Sequence, residues 1–124
     1  MKEDSINLTL PIPISVNQAY AGNWKRYKSK AYKTWIALAE LEMRKQVKYT
    51  LSWNEWLKID LNFFIPLYYK NGNRKKQDID NFLKPLLDFL GDNISWFDDM
   101  NIKVLNAEKI DSKNNEVKIL IREI

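Results

Sequence analysis

There is no cysteine and no histidine anywhere in the chain. The first absence excludes disulfides, thiol nucleophiles and thiolate zinc sites. The second removes the commonest general base and the commonest transition-metal ligand. No apolar run approaches the roughly 20 residues that a helix needs to cross a bilayer. The first ten residues, MKEDSINLTL, are acidic and then alternating rather than continuously apolar, so they do not read as a signal peptide. An intracellular protein is expected. Internal repeats and low-complexity segments are also missing. Any catalysis must therefore rest on carboxylates, lysines, hydroxyls or a bound cofactor. A metal site built of carboxylates alone favours a hard cation, Mg2+ or Mn2+.

What is present fits a single domain spanning residues 1–124, long enough to bury a real core. Hydrophobic residues make up 45% of the chain and charged residues 29%, an ordinary globular balance. The net charge of +4 is unevenly placed. Residues 21–50 hold eight basic and two acidic side chains, and Arg74-Lys75-Lys76 forms a second basic knot. Clustered positive charge suits a polyanionic partner, although a solvated lysine-rich surface gives the same composition. Directly after the knot the balance reverses, with six aspartates and one lysine between Gln77 and Asp99.

Periodicity places the elements. Ile6, Leu8 and Leu10 alternate as a strand that Pro11 and Pro13 stop. Residues 15–29 read as a loop. A helix is expected from Ser29, a plausible N-cap, to near Lys48, with Tyr32, Trp35, Ala39 and Met43 on one face. Leu57, Ile59, Leu61 and Phe63 alternate as a half-buried strand ending before Pro66. Asn71-Gly72 signals a turn, and the basic residues after it suggest a long mobile loop rather than a tight hairpin. Phe82, Leu83, Leu86, Leu87 and Leu90 have helical spacing, with Gly91 as the stop and a start or kink near Pro85. Strands from Ile102 to Ile110 and from Val117 to Ile121 close the chain around a turn at Lys113-Asn114-Asn115. This order predicts an α+β fold, a small mixed four-stranded sheet packed with two helices.

The acids have a spacing with consequences. Asp78 and Asp80 would diverge by about 200° on a helix, but share a side in an extended segment. To bind one ion together they must lie ahead of the regular turns. Asp80 and Lys84 are helical neighbours, four residues apart. A returning chain can carry Asp98-Asp99 back toward Asp78 and Asp80. Each feature also has an ordinary structural use: a helix N-cap for Asp80, turn residues for Asp98 and Asp99, an exposed i,i+4 pair for Lys84. An EF-hand loop is excluded, because Phe82 and Leu83 stand where it needs an oxygen ligand and a glycine. Carboxylates beside a phosphate-binding surface make sense when a divalent cation bridges the two anions.

The run KKQDIDNFLKPLLDFL followed by WFDDMNIKVLNAEK resembles the RusA family of Holliday junction resolvases. The matching positions are Asp78, Asp80, Asn81, Lys84, Asp88, Asp98, Asp99 and Lys109, with Pro11, Pro13, Ser15, Asn17 and Tyr20 near the start. The resemblance spans nearly the whole chain. It implies a dimeric α+β endonuclease that cuts four-way junction DNA with Mg2+ (Mn2+ as a possible substitute), in the cytoplasm with the nucleoid and in some members in a phage setting. It also implies that Asp78, Asp80 and Asp99 are the metal-holding catalytic acids and Lys84 the catalytic lysine. Asp98 is expected to support the site or form a turn.

Lys25, Arg26, Lys28, Lys30, Arg74, Lys75, Lys76 and Lys109 are the candidate contacts to the DNA backbone. Trp24 and Tyr27 either stack on unpaired bases or pack over the helix start. Two symmetric nicks call for a C2 homodimer, with the helix from Phe82 to Leu90 or the last strands as its interface. The competing readings are a Mg2+ nuclease of flaps or forks, a non-catalytic nucleic-acid-binding protein, and a structural partner in a larger assembly.

Overall fold

The structure is a computed structural model that describes residues 5–22, 26–47, 55–94 and 96–124. Four strands form the mixed sheet: β1 (Ser5–Pro11), β4 (Leu57–Ile65), β5 (Ile102–Asp111) and β6 (Glu116–Glu123), in the order β1-β6-β4-β5. β6 lies antiparallel to both β1 and β4, whereas β4 and β5 are parallel. Parallel neighbours need a crossover, and α3 (Asp80–Asn93) supplies it. The acidic stretch is thus the connection between the two parallel strands.

Alternation decides which face is buried. Leu57, Ile59, Leu61, Phe63 and Ile65 point inward from β4, joined by Ile6, Leu8 and Leu10 of β1 and Val117, Ile119 and Ile121 of β6. α2 (Lys30–Gln46) covers them with Tyr32, Trp35 and Ala39, and α3 does so with Phe82, Leu86, Phe89 and Leu90. The two helices meet through aromatic rings: Trp35 lies edge-on to Phe89 with centroids 5.1 Å apart. Ser29 caps α2 as its sequence suggests, its hydroxyl accepting from the Tyr32 N–H at 3.1 Å. The expected α+β architecture is the one observed.

Several local expectations are corrected. Residues 15–29 are not wholly loop: α1 (Val16–Ala19) and the short paired strands β2 (Tyr20–Ala21) and β3 (Tyr27–Lys28) lie there. α2 ends at Gln46, and Lys48 falls outside the described residues. α3 begins five residues before Pro85 and runs on past Gly91. Proline removes one N–H, the partner of a single carbonyl near the helix start, and its ring is buried in the core instead. Gly91 lies inside the helix with open space around it, while the Asn93 amide caps the Phe89 carbonyl at 2.9 Å and closes the final turn.

The segment after β4 is a tight hairpin, not a long loop. Tyr68 bridges Arg74, the Tyr69 N–H donates to the Asn73 carbonyl at 2.8 Å, and Gly72 turns the chain at φ +88°. That positive φ is open to glycine at no steric cost.

The two sheet edges differ. On β1, the Gln46 side chain imitates a neighbouring strand: its amide oxygen accepts from Thr9 N–H at 2.7 Å and its NH2 donates to Thr9 C=O at 2.8 Å. β5 is the opposite edge, and Leu105 on it is 39% exposed. A capped edge is protected against further strand pairing; an uncapped one is open to it.

Candidate active site

Asp78 and Asp80 stand where the chain leaves the basic hairpin and enters α3. The backbone turns early: Asn81 N–H donates to the Asp78 carbonyl at 3.1 Å, and Phe82 N–H to the Ile79 carbonyl at 3.2 Å. Ile79, between the two acids, is helical (φ −61°, ψ −35°). The shared side expected of an extended segment is therefore not formed in this structure. Asp80 occupies the first helical turn, where the helix dipole favours negative charge. Lys109 ties the preceding residue down, its ammonium donating to the Gln77 carbonyl at 2.7 Å. A residue expected on the DNA backbone thus also anchors the acidic segment to β5.

Asp98 and Asp99 lie at the other end of α3. The Asp98 carboxylate accepts from Met100 N–H at 3.0 Å and caps the 3-10 turn Asp99–Asn101, so its turn role is visible. Asp98 and Asp99 line a shallow groove of about 300 Å³ with Asp88 and Asp92. Among the described residues no three acidic side chains stand close enough to share one ion, Asp78, Asp80 and Asp99 included.

In chemistry the three acids nevertheless fit a hard divalent cation. All are exposed, all offer oxygen only, and their side chains carry no hydrogen bond or ion pair with the described residues. A depression of about 710 Å³ lies on the far face of the sheet around Asp60, Asn62 and Asn106, and none of the expected acids borders it.

Lys84 pairs forward along α3 with Asp88, at 3.2 Å, rather than back with Asp80. The Tyr20 hydroxyl donates to the same Asp88 oxygen, and the Lys84 ammonium lies 5.5 Å from the centre of the Tyr20 ring. Tyr20 comes from the N-terminal region, 68 residues away, so Asp88 gathers a lysine and a tyrosine from distant parts of the chain. Tyr32 packs edge-on to Tyr20 at 5.5 Å and donates to the Pro85 carbonyl, joining α2 to α3 beneath this cluster. Sequence reasoning placed Tyr20 and Asp88 only as matching letters; nothing in the local pattern pairs them.

Burial pushes both phenols upward. For Tyr20, burial acts first and donation to Asp88 second. For Tyr32, burial raises the value from 10.0 to about 12, opposed by hydrogen bonding with Tyr20 and assisted by the charges of Asp88 and Asp92. Raised folded values mean that the fold holds the proton more tightly than the unfolded chain does. The associated stability is complete below pH 10 and is lost as the pH climbs toward 12. An alkaline titration followed by tyrosinate absorbance and circular dichroism should show two tyrosines ionising only as the fold melts. Tyr20→Phe and Tyr32→Phe should each delete one late step. Ionisation of every tyrosine near pH 10 with the fold intact would contradict this.

The basic residues divide. Arg26, Lys30, Arg74 and Lys76 are exposed. Lys28 forms an ion pair with Asp92 at 3.1 Å, and Lys75 lies over the Tyr69 ring at 5.4 Å. Tyr27 is 60% exposed, which disfavours packing over the helix start, while Trp24 and Lys25 fall outside the described residues. The apolar side chains Phe82, Leu86, Phe89 and Leu90 are spent on the chain's own core, and β6 is an interior strand. Of the surfaces considered for a dimer, that leaves the β5 edge.

An acidic helix thus lies beside a basic hairpin on a two-layer α+β domain. The family model described as endodeoxyribonuclease RusA matches residues 11–122. The chain belongs to the RusA endodeoxyribonuclease family. No curated protein matches it.

Proposed function

We propose that this chain is a Mg2+-dependent, structure-selective endonuclease that resolves four-way DNA junctions by paired symmetric cuts, as a homodimer acting in recombination and repair at the nucleoid. The observation that carries the reading is the extent of the family match. It takes in Asp78, Asp80, Lys84, Asp98 and Asp99 together, not one short motif. Among the described residues no helix is long and apolar enough to cross a membrane.

Asp78, Asp80 and Asp99 would hold Mg2+, with Mn2+ as a substitute. The bound ion supplies Lewis-acid neutralisation of phosphoryl charge and an acidified water. Gathering the three acids requires a change from the arrangement described above. Lys84, steadied by Asp88, presents a fixed positive charge toward the phosphate oxygens and the leaving group. Arg26, Lys28, Lys30, Arg74, Lys75 and Lys76 carry the DNA backbone, with affinity that falls steeply as salt rises. The first half of the β5 edge, around Leu105, is the surface offered for the dimer, since a two-fold axis beside it would pair two open strands.

The test is a panel of end-labelled four-way, fork, flap and linear duplex substrates, each with Mg2+ and with chelator. Paired cuts in the four-way substrate, lost on chelation, are expected. Preferential cutting of forks or flaps would move the assignment to that class of nuclease. Absence of any Mg2+-dependent turnover would overturn it.

A further inference from the structure

The hairpin that replaces the expected loop is built like a platform. Tyr68 and Tyr69 are 53% and 56% exposed, and they sit among Lys70, Arg74, Lys75 and Lys76 with no acidic residue between Pro66 and Gln77. Large exposed rings are costly in water unless something covers them, and cations beside them favour an anionic partner. The hairpin is also held in place. Leu67 N–H donates to the Asp111 carboxylate at 2.9 Å, Lys75 N–H to the Leu67 carbonyl at 2.7 Å, and Asn73 N–H to the Asn71 side chain at 2.9 Å. Lys75 lies over Tyr69, while Tyr68 walls an open groove of about 400 Å³.

Arg74, Lys75, Ala107, Glu108 and Lys109 are among the groove's other walls. Three cations and one carboxylate give it a net positive lining. Its size falls within the range of small-ligand clefts. Ile79 borders it, which puts the groove directly beside Asp78 and Asp80. An aromatic face, flanking cations and adjacency to the acids together describe a seat for one flat, apolar-faced group joined to phosphate.

We propose that this groove binds an unpaired nucleobase next to the scissile phosphate, stacked on Tyr68, with Arg74 and Lys75 on the neighbouring phosphates. This rests on the nuclease reading and adds to it a means of sensing branched DNA. Paired bases in a duplex present their edges and cannot stack on a side chain, whereas unpaired bases at a branch point can. Nothing in the local sequence pattern singles out Tyr68. Only the fold places it across from β5 and beside the acids.

The experiment measures binding of an oligothymidylate, a four-way junction and a linear duplex to wild type, Tyr68→Leu, Tyr68→Trp and Arg74→Gln, without divalent ions so that nothing is cut. Tyr68→Leu should bind the oligothymidylate and the junction about tenfold more weakly and the duplex unchanged, while Tyr68→Trp keeps wild-type affinity. Arg74→Gln should weaken all three alike and lower the salt slope by about one. Circular dichroism confirms that each variant is folded, as the exposure of both positions predicts. Equal losses by Tyr68→Leu on duplex and oligothymidylate, or no loss on either, would overturn the proposal. The nuclease reading fails separately, if the wild type cuts none of the branched substrates in Mg2+.

Discussion

Asp80→Asn is expected to bind a four-way junction at least as tightly as the wild type and to cut it more than about a thousandfold more slowly. The substitution keeps shape and volume and removes one negative charge. Ground-state binding then gains slightly, because a carboxylate beside a phosphate is repulsive in the absence of a cation. Turnover collapses, because neutralising phosphoryl charge supplies several kcal/mol of transition-state stabilisation that an amide does not sustain. The fold tolerates the change. Asp80 is exposed in the first turn of α3, and its interaction with the helix dipole contributes only about 0.3–1 kcal/mol. Thermal melting should therefore be almost unchanged, which separates a catalytic loss from an unfolding loss. Retention of wild-type cutting rates would show that Asp80 serves the helix alone, and would favour a non-catalytic DNA-binding protein.

Lys84→Ala is expected to slow cutting by about 10²–10³-fold with little change in junction affinity. A single preorganised charge aimed at a developing oxyanion has an effect of that order. As a surface ion pair with Asp88, the same lysine would contribute only about 0–1 kcal/mol to stability. The two accounts thus differ by a large margin in rate and hardly at all in melting temperature. Asp88→Asn probes the support. It removes the charge that holds the Lys84 ammonium and weakens the acceptor for the Tyr20 hydroxyl, so kcat should fall about tenfold at unchanged KM. Asp88→Glu should recover part of the loss. If Lys84→Ala cuts at the wild-type rate, the pair is an ordinary surface contact and the lysine is no part of the chemistry.

Much of the fold was legible because it depends on local periodicity. The alternation from Leu57 to Phe63 and the helical spacing from Tyr32 to Ala39 arise from backbone geometry within one element, and each put its apolar side chains in the core. Ser29 as N-cap was legible for a similar reason, since capping needs only the next few N–H groups. Glycine and proline signals misled where tertiary contacts outweighed them. Gly91 did not stop α3, because Ile94 beyond it is buried and holds its N–H on the Leu90 carbonyl. Pro85 did not delay the helix, because core packing of its ring accompanies the lost hydrogen bond. The hairpin was missed because the composition after Asn71-Gly72 is basic, whereas its order comes from backbone bonds and from Asp111 on another strand.

The candidate site divides along the same line. Residue types alone were enough to exclude thiol and imidazole chemistry and to nominate carboxylates with a lysine, because chemistry follows from which side chains exist. Position in space was beyond reach of the letters. Lys84 has an aspartate one turn away in either direction, and Tyr20, arriving from 68 residues away, marks the one it meets. Asp99 lies beside Asp88 and Asp92 because the chain leaving α3 folds back along the helix's second half. Such choices are made by packing between segments that are remote in sequence, and no periodicity within a single segment encodes them.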